Sequence, residues 1–96
     1  MINREEINQM TGLFKALSDT ARIRIILMLN NEICVSELAE KLNMTQSAVS
    51  HQLSVLKANG LVEKRRDGKQ IYYKLTDNHV TQVLKIGMEH VKERLG

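Results

Sequence analysis

Proline is absent from these 96 residues, and cysteine occurs once, at Cys34. With no proline, no low-complexity tract and no internal repeat, nothing marks a linker, and one ordered domain spanning residues 1–96 is expected. A single thiol excludes an intrachain disulfide and a thiolate metal site, and it fits a cytoplasmic setting. Cys34 itself reads as a core thiol beside Val35. Long apolar runs are also missing. The longest, Ile25-Ile26-Leu27-Met28-Leu29, is far too short for a bilayer, and the N-terminal residues are polar and acidic where a signal peptide would be basic and then apolar. No membrane partner is therefore expected.

The charge is small and unevenly placed. Between Leu61 and Lys74 the chain holds Lys64, Arg65, Arg66, Lys69 and Lys74 against Glu63 and Asp67, a local excess of three that equals the +3 of the whole chain. A basic segment in an otherwise neutral chain points to a polyanion met at one place. A chain this short holds a modest core and often gains stability by pairing with a copy of itself.

Apolar spacing of three and four predicts a helix from about Arg4 to Leu17, with Ile7, Met10, Phe14 and Leu17 in its stripe and Leu13 widening it. Ser18 or Asp19 starts a second helix, Thr20 to Asn30, offering Ile23, Ile26, Leu27 and Leu29 to the core. A third follows Ser36 as N-cap and stops at Asn43. Thr45 or Ser47 opens a fourth, with Val49, Leu53 and Leu56 inward and Asn59-Gly60 as its end. From Leu61 the period becomes two. Leu61–Arg66 and Lys69–Leu75 flank Asp67-Gly68, a hairpin signal, with one of Tyr72 and Tyr73 facing the core. A last helix, capped at Asp77, carries Val80, Val83, Leu84, Met88, Val91 and Leu95 on one side. The expected fold is mainly α: four helices, a small β-hairpin and a closing helix.

Three constellations carry chemistry. Two short helices joined by Asn43-Met44-Thr45 have helix-turn-helix spacing, and the second presents Gln46, Ser47, Ser50, His51 and Gln52, all able to hydrogen-bond base edges or phosphates of double-stranded DNA. The hairpin tip adds Lys64, Arg65, Arg66 and Lys69 without an aromatic residue, which suits phosphate or minor-groove contact and not stacking on single-stranded bases. Each could instead be a solvated surface, but together they read as recognition helix and wing.

The third constellation lies on the last helix. His79 and His90 are eleven residues apart, on the same side of the helix but separated by about 16 Å along its axis. A second copy lying antiparallel across a two-fold axis near Lys85 would bring Asp77 and His79 of one chain beside His90 and Glu93 of the other, giving two four-ligand sites. Two imidazole nitrogens and two carboxylates suit tetrahedral zinc, with cobalt as a possible substitute. Nickel would prefer more ligands, copper(I) thiolates, and magnesium or calcium more oxygens. The alternative is plain surface polarity. Four protein ligands leave no open position for a water, and no stretch forms a pocket for a small organic substrate, so an enzyme is not expected.

Nearly the whole chain resembles the ArsR/SmtB family of bacterial winged-helix metal-sensing repressors. The resemblance lies in Phe14–Asp19 with Arg22-Ile23-Arg24, Ile33–Leu38, the specific run Gln46-Ser47-Ala48-Val49-Ser50-His51-Gln52-Leu53, and Ile71–Leu75. Asp77, His79, His90 and Glu93 match the pattern of its zinc-sensor subgroup. The resemblance implies a winged helix-turn-helix homodimer paired through the first and last helices. Such a dimer binds operator DNA when metal-free and is released when zinc binds between the paired last helices. Thiolate-sensing members carry a Cys-Val-Cys pattern, and here Ser36 stands where the second cysteine would be. A regulator of the same fold that senses no metal is the alternative.

Overall fold

A computed structural model describes residues 2–96, in the order α1 (Arg4–Leu17), α2 (Thr20–Met28), β1 (Ile33–Cys34), α3 (Val35–Leu42), α4 (Gln46–Ala58), β2 (Val62–Asp67), β3 (Gln70–Leu75) and α5 (His79–Leu95). Side chains fix most helix starts. The Asn3 side chain accepts the Glu6 amide at 2.8 Å, Asp19 the Arg22 amide at 3.0 Å, and Thr45 the Ala48 amide at 3.1 Å. Each satisfies a backbone donor that the helix leaves open.

Stops are equally local. Asn43 ends α3 in the left-handed region at φ 54°, and Met44 then donates to the Ala39 carbonyl at 3.0 Å. Gly60, at φ 73°, closes α4 the same way, with Leu61 donating to the Leu56 carbonyl at 3.0 Å. Both are Schellman-type closures. They set the three-residue turn between α3 and α4 and aim the chain into β2.

Four expected boundaries shift. α2 stops at Met28, two residues early, because the Leu29 amide turns back to the Ile26 carbonyl at 3.1 Å. Ser36 is not an N-cap. Cys34 holds that position without a side-chain bond, because pairing of β1 to β3 runs through Cys34 and the chain passes directly into a helix that begins with buried Val35. The hairpin loop is Gly68-Lys69, one residue later than Asp67-Gly68, since Asp67 still pairs with Gln70. This puts Gly68, at φ 62°, at the first loop position, where a tight hairpin turn needs positive φ. α5 is capped by Asn78 and not by Asp77, whose Oδ1 accepts the His79 amide at 2.9 Å.

β1 is an addition to the expected hairpin. Its two residues pair antiparallel with β3, Ile33 with Tyr73 and Cys34 with Tyr72, so the sheet has three strands in the order β1-β3-β2. The core is built on Ile25, Leu38, Val49, Leu53 and Leu56, all fully buried, with Tyr73 and Val80 closing it. Only the first turn of α5 reaches it deeply.

The apolar stripes predicted for α1, α2 and α5 are therefore only partly used. Ile7, Met10 and Phe14 of α1, Leu27 of α2, and Met88, Val91 and Leu95 of α5 remain exposed. The expected Ile26 and Leu29 are buried in the core and Ile25 joins them, while Ile23 is half-buried and Leu27 turns to the other side. Leu27 there borders an apolar groove with Ile23, Leu84, Gly87, Met88 and Val91. The molecule is flat, 45 × 37 × 20 Å, with a radius of gyration of 14.5 Å, against about 12–13 Å for a compact chain of this length. No described helix is long and apolar enough to cross a membrane.

Candidate nucleic-acid interface and metal-ligand cluster

α4 divides its side chains cleanly. Val49, Leu53 and Leu56 are buried, while Gln46, Ser47, Ser50 and His51 are exposed. At roughly 100° per residue these four span one continuous outer face. Ser54 shares that face, and its hydroxyl donates to the His51 carbonyl at 2.7 Å. Thr45 and Ser47 hydroxyls lie 3.3 Å apart at the helix start, where free amides and the helix dipole favour phosphate.

Gln52 differs from its neighbours. It is half-buried, and its Oε1 accepts from Arg22 Nη1 at 3.1 Å. The same guanidinium donates to the carbonyls of Ala16 at 2.7 Å and Lys15 at 3.3 Å. Gln52 thus ties α4 to α2 and the end of α1. Its position on the helix circumference, next to the core residues and away from Ser47 and Ser50, was the available signal.

The wing is also divided. Lys64, Arg66 and Lys69 are exposed and have no ion-pair partner among the described residues. Lys74 pairs with Glu63 across the hairpin at 3.7 Å. Arg65 turns back to the body. Its Nη2 donates to Glu32 Oε1 at 2.7 Å and its Nε to Oε2 at 3.1 Å. Its guanidinium carbon sits 4.8 Å from the Tyr72 ring centre, and Asp67 lies 3.9 Å away. The Arg65 bond holds the Glu32 carboxyl below its ordinary value and raises Arg65 in turn. The sequence assigned no site role to Glu32 or Arg22.

At the start of α5, Asp77 Oδ2 lies 3.3 Å from His79 Nδ1, with both side chains open to solvent. A tetrahedral zinc with bonds of about 2.0–2.1 Å holds neighbouring donors about 3.3 Å apart, so this pair fits one edge of such a site. The Asp77 bond to the His79 amide orients the carboxylate. His90 and Glu93 lie exposed near the other end of α5, three residues apart and so on neighbouring positions of one side. The structure brings Asp77 to His79 but neither to His90 or Glu93. Among the described residues no three of His, Cys, Asp and Glu come together in one chain.

Cys34 is half-buried and not a core thiol. Its Sγ lies 3.3 Å from the Ser36 hydroxyl, and that bond, with the α3 backbone at Glu37, lowers the thiol's pKa.

Residues 19–64 match the family described as bacterial regulatory protein, arsR family. A transcriptional repressor SmtB homolog from Synechocystis is 38% identical over 94 residues, covering 97% of this chain and 71% of that one. A cadmium resistance transcriptional regulatory protein CadC homolog from Staphylococcus aureus is 39% identical over 83 residues, covering 84% and 69%. Among solved structures, the homodimeric winged helix-turn-helix DNA-binding domain of a possible ArsR-family regulator from Mycobacterium bovis superposes with a TM-score of 0.85 at 28% identity, covering 99% of this chain and 91% of that one.

Proposed function

This chain belongs to the arsR family of bacterial regulatory proteins, which are transcriptional regulators and not enzymes, and from that premise we propose that it is a cytoplasmic, metal-responsive repressor. It binds operator DNA as a metal-free homodimer and leaves it when zinc occupies a site between the paired last helices. Cobalt is the expected substitute. The observation that carries this reading is the Asp77–His79 pair, 3.3 Å apart and solvent-facing, a half-site that nothing among the described residues completes.

The exposed Ile7, Met10 and Phe14 of α1 and Met88 and Val91 of α5 supply apolar surface to join two protomers. Pairing α5 with its copy brings the partner's His90 and Glu93 to Asp77 and His79. Zinc would supply a divalent cross-link there. Asp77 holds one donor oxygen toward the site while its other oxygen fixes the His79 backbone. The same dimer sets the spacing of its two α4 helices, whose Gln46, Ser47, Ser50 and His51 enter the major groove while Lys64, Arg66 and Lys69 contact phosphates. A change of protomer angle at α5 alters that spacing, and a coupling of about 1–3 kcal/mol is typical of such linkage.

The test is fluorescence anisotropy with a duplex selected from a random library by the metal-free protein. One zinc per chain should release the duplex, and a chelator should restore binding. If zinc leaves the affinity unchanged, the metal-responsive part fails. The second reading, a regulator of the same fold without a metal, draws on the same limit of two donors per cluster. It requires that His79→Ala and His90→Ala behave as wild type with and without zinc.

A further inference from the structure

The wing lacks a core of its own. Past Val62 every residue of β2 is exposed, and in β3 only Tyr73 is fully buried. An isolated two-stranded hairpin is marginal in water, so something else must set the angle at which this one leaves the body. β1 contributes only two paired residues. Val62, Tyr73 and the half-buried Ile71 and Leu75 pack one face of the hairpin on the core, and on its other face the tie is the Arg65–Glu32 ion pair, which crosses the whole sheet, from β2 at one edge to the residue before β1 at the other.

Its geometry is that of a brace. Arg65 and Tyr72 are register partners on adjacent strands, and Cys34 is the partner of Tyr72 on the third, so the three lie in a row on one face. The guanidinium rests on the Tyr72 ring and reaches over it to both Glu32 oxygens, the fork geometry that only arginine offers. Lys64 and Arg66 alternate to the opposite face. Exposed ion pairs add little to global stability, but a two-bond fork seated on a ring restrains direction.

We propose that Glu32 is a positioning residue for DNA binding: it holds Arg65 over Tyr72 and so fixes the wing with Lys64, Arg66 and Lys69 set toward the phosphate backbone. Arg65 then acts as a strut and neutralises no phosphate. This rests on the DNA-binding reading above. An ordered wing docks at lower entropic cost than a loose one.

Glu32→Gln, Arg65→Lys and the double variant are compared with wild-type dimer, using a labelled duplex of about 30 base pairs, roughly three helical turns, as the probe across a salt series. Circular dichroism and melting confirm that each variant is folded. Glu32→Gln should weaken binding about 3- to 10-fold, with the slope of log affinity against log salt unchanged. Arg65→Lys keeps the charge but loses the fork, and should match it, and the double variant should be no worse than either single one. Amide relaxation by NMR should show residues 64–70 more mobile in all three variants. A rise in affinity with a slope steeper by about one would mean that Glu32 merely masks a phosphate-binding arginine, overturning the proposal. So would unchanged affinity in Glu32→Gln, or wild-type affinity in Arg65→Lys. Absence of binding by the wild-type dimer would instead sink the DNA-binding reading itself.

Discussion

Arg22 Nη1 donates to Gln52 Oε1 at 3.1 Å, joining α2 to the recognition helix across thirty positions of sequence. The other arms of the same guanidinium satisfy the Ala16 and Lys15 carbonyls at the end of α1, where a helix leaves its last carbonyls unpaired. One side chain therefore links α4 to the end of α1, the helix that carries exposed Ile7, Met10 and Phe14. Gln52 serves this junction, leaving Gln46, Ser47, Ser50 and His51 as the outward set.

Arg22→Ala should lower unfolding stability by about 1–2 kcal/mol, since hydrogen bonds to a half-buried charged group are lost and the Ala16 carbonyl loses its donor, while that of Lys15 still accepts from Ser18. Arg22→Lys should recover little, because an ammonium cannot reach three acceptors in one plane. Urea unfolding followed by circular dichroism measures both. Gln52→Met should cost less than Arg22→Ala, as it removes one partner and keeps the volume. Gln52→Met as costly as Arg22→Ala would mean that the α4 contact, and not the α1 end, dominates.

Burial raises the Tyr73 hydroxyl above its ordinary value. The group is neutral when folded, so its contribution to stability is fully present below the unfolded value of about 10 and is lost as pH rises through the higher folded value. In Tyr72→Phe, Tyr73 is the sole tyrosine of the two in the chain. Ultraviolet difference absorbance should then show tyrosinate forming above pH 10, and merging with alkaline unfolding. Ionisation at the free-tyrosine value in the folded protein would contradict the burial.

Met88 and Leu27 face each other across an exposed apolar groove, each more than two-fifths exposed. If this surface is continuous with the dimer contact, a charge in it should oppose association. Met88→Glu should shift sedimentation toward the monomer and weaken duplex binding by at least about ten-fold, because one half-site alone supplies about half of the contacts. Circular dichroism should stay unchanged, as the core does not include Met88. A dimer that persists in Met88→Glu would place the interface on α1.

Most of the chain's architecture was legible because its signals are local. Asn43, Gly60 and Thr45 mark helix ends by their own chemistry, and Val49, Leu53 and Leu56 repeat on one face of a single helix. What escaped has either no period or a distant partner. Ile33-Cys34 is too short for an alternation, and becomes a strand only because Tyr72 and Tyr73 lie beside it. Ser36 looked like a cap since small hydroxyls favour that position, yet Val35 had to enter the core first. Leu27, Phe14 and Met88 have core-type spacing but face outward, and periodicity cannot tell a core from a partner's surface. Arg65–Glu32 and Arg22–Gln52 join residues 33 and 30 positions apart, which no short-range rule reaches. Asp77 and His79 were legible as a pair, being two residues apart. Their proposed completion by His90 and Glu93 would need two chains, which no signal within one chain reports.

The proposed cross-chain completion gives the sharpest test of the proposed metal site. If each site takes Asp77 and His79 from one protomer and His90 and Glu93 from the other, a heterodimer with His79→Ala in one chain and His90→Ala in its partner concentrates both losses in a single site. The second site stays whole, so differently tagged, co-purified heterodimers should retain one tightly held zinc per dimer in competition with a chelator. Placing both changes in one chain opposite a wild-type partner damages each site once, and no zinc should remain tightly held, because each site keeps at most three protein ligands. A site formed within one protomer would give the reverse: the split heterodimer would lose both sites, and the doubly changed chain would leave its wild-type partner's site intact. Because the two heterodimers contain the same substitutions, a difference in their zinc retention reports only which side chains meet across the interface.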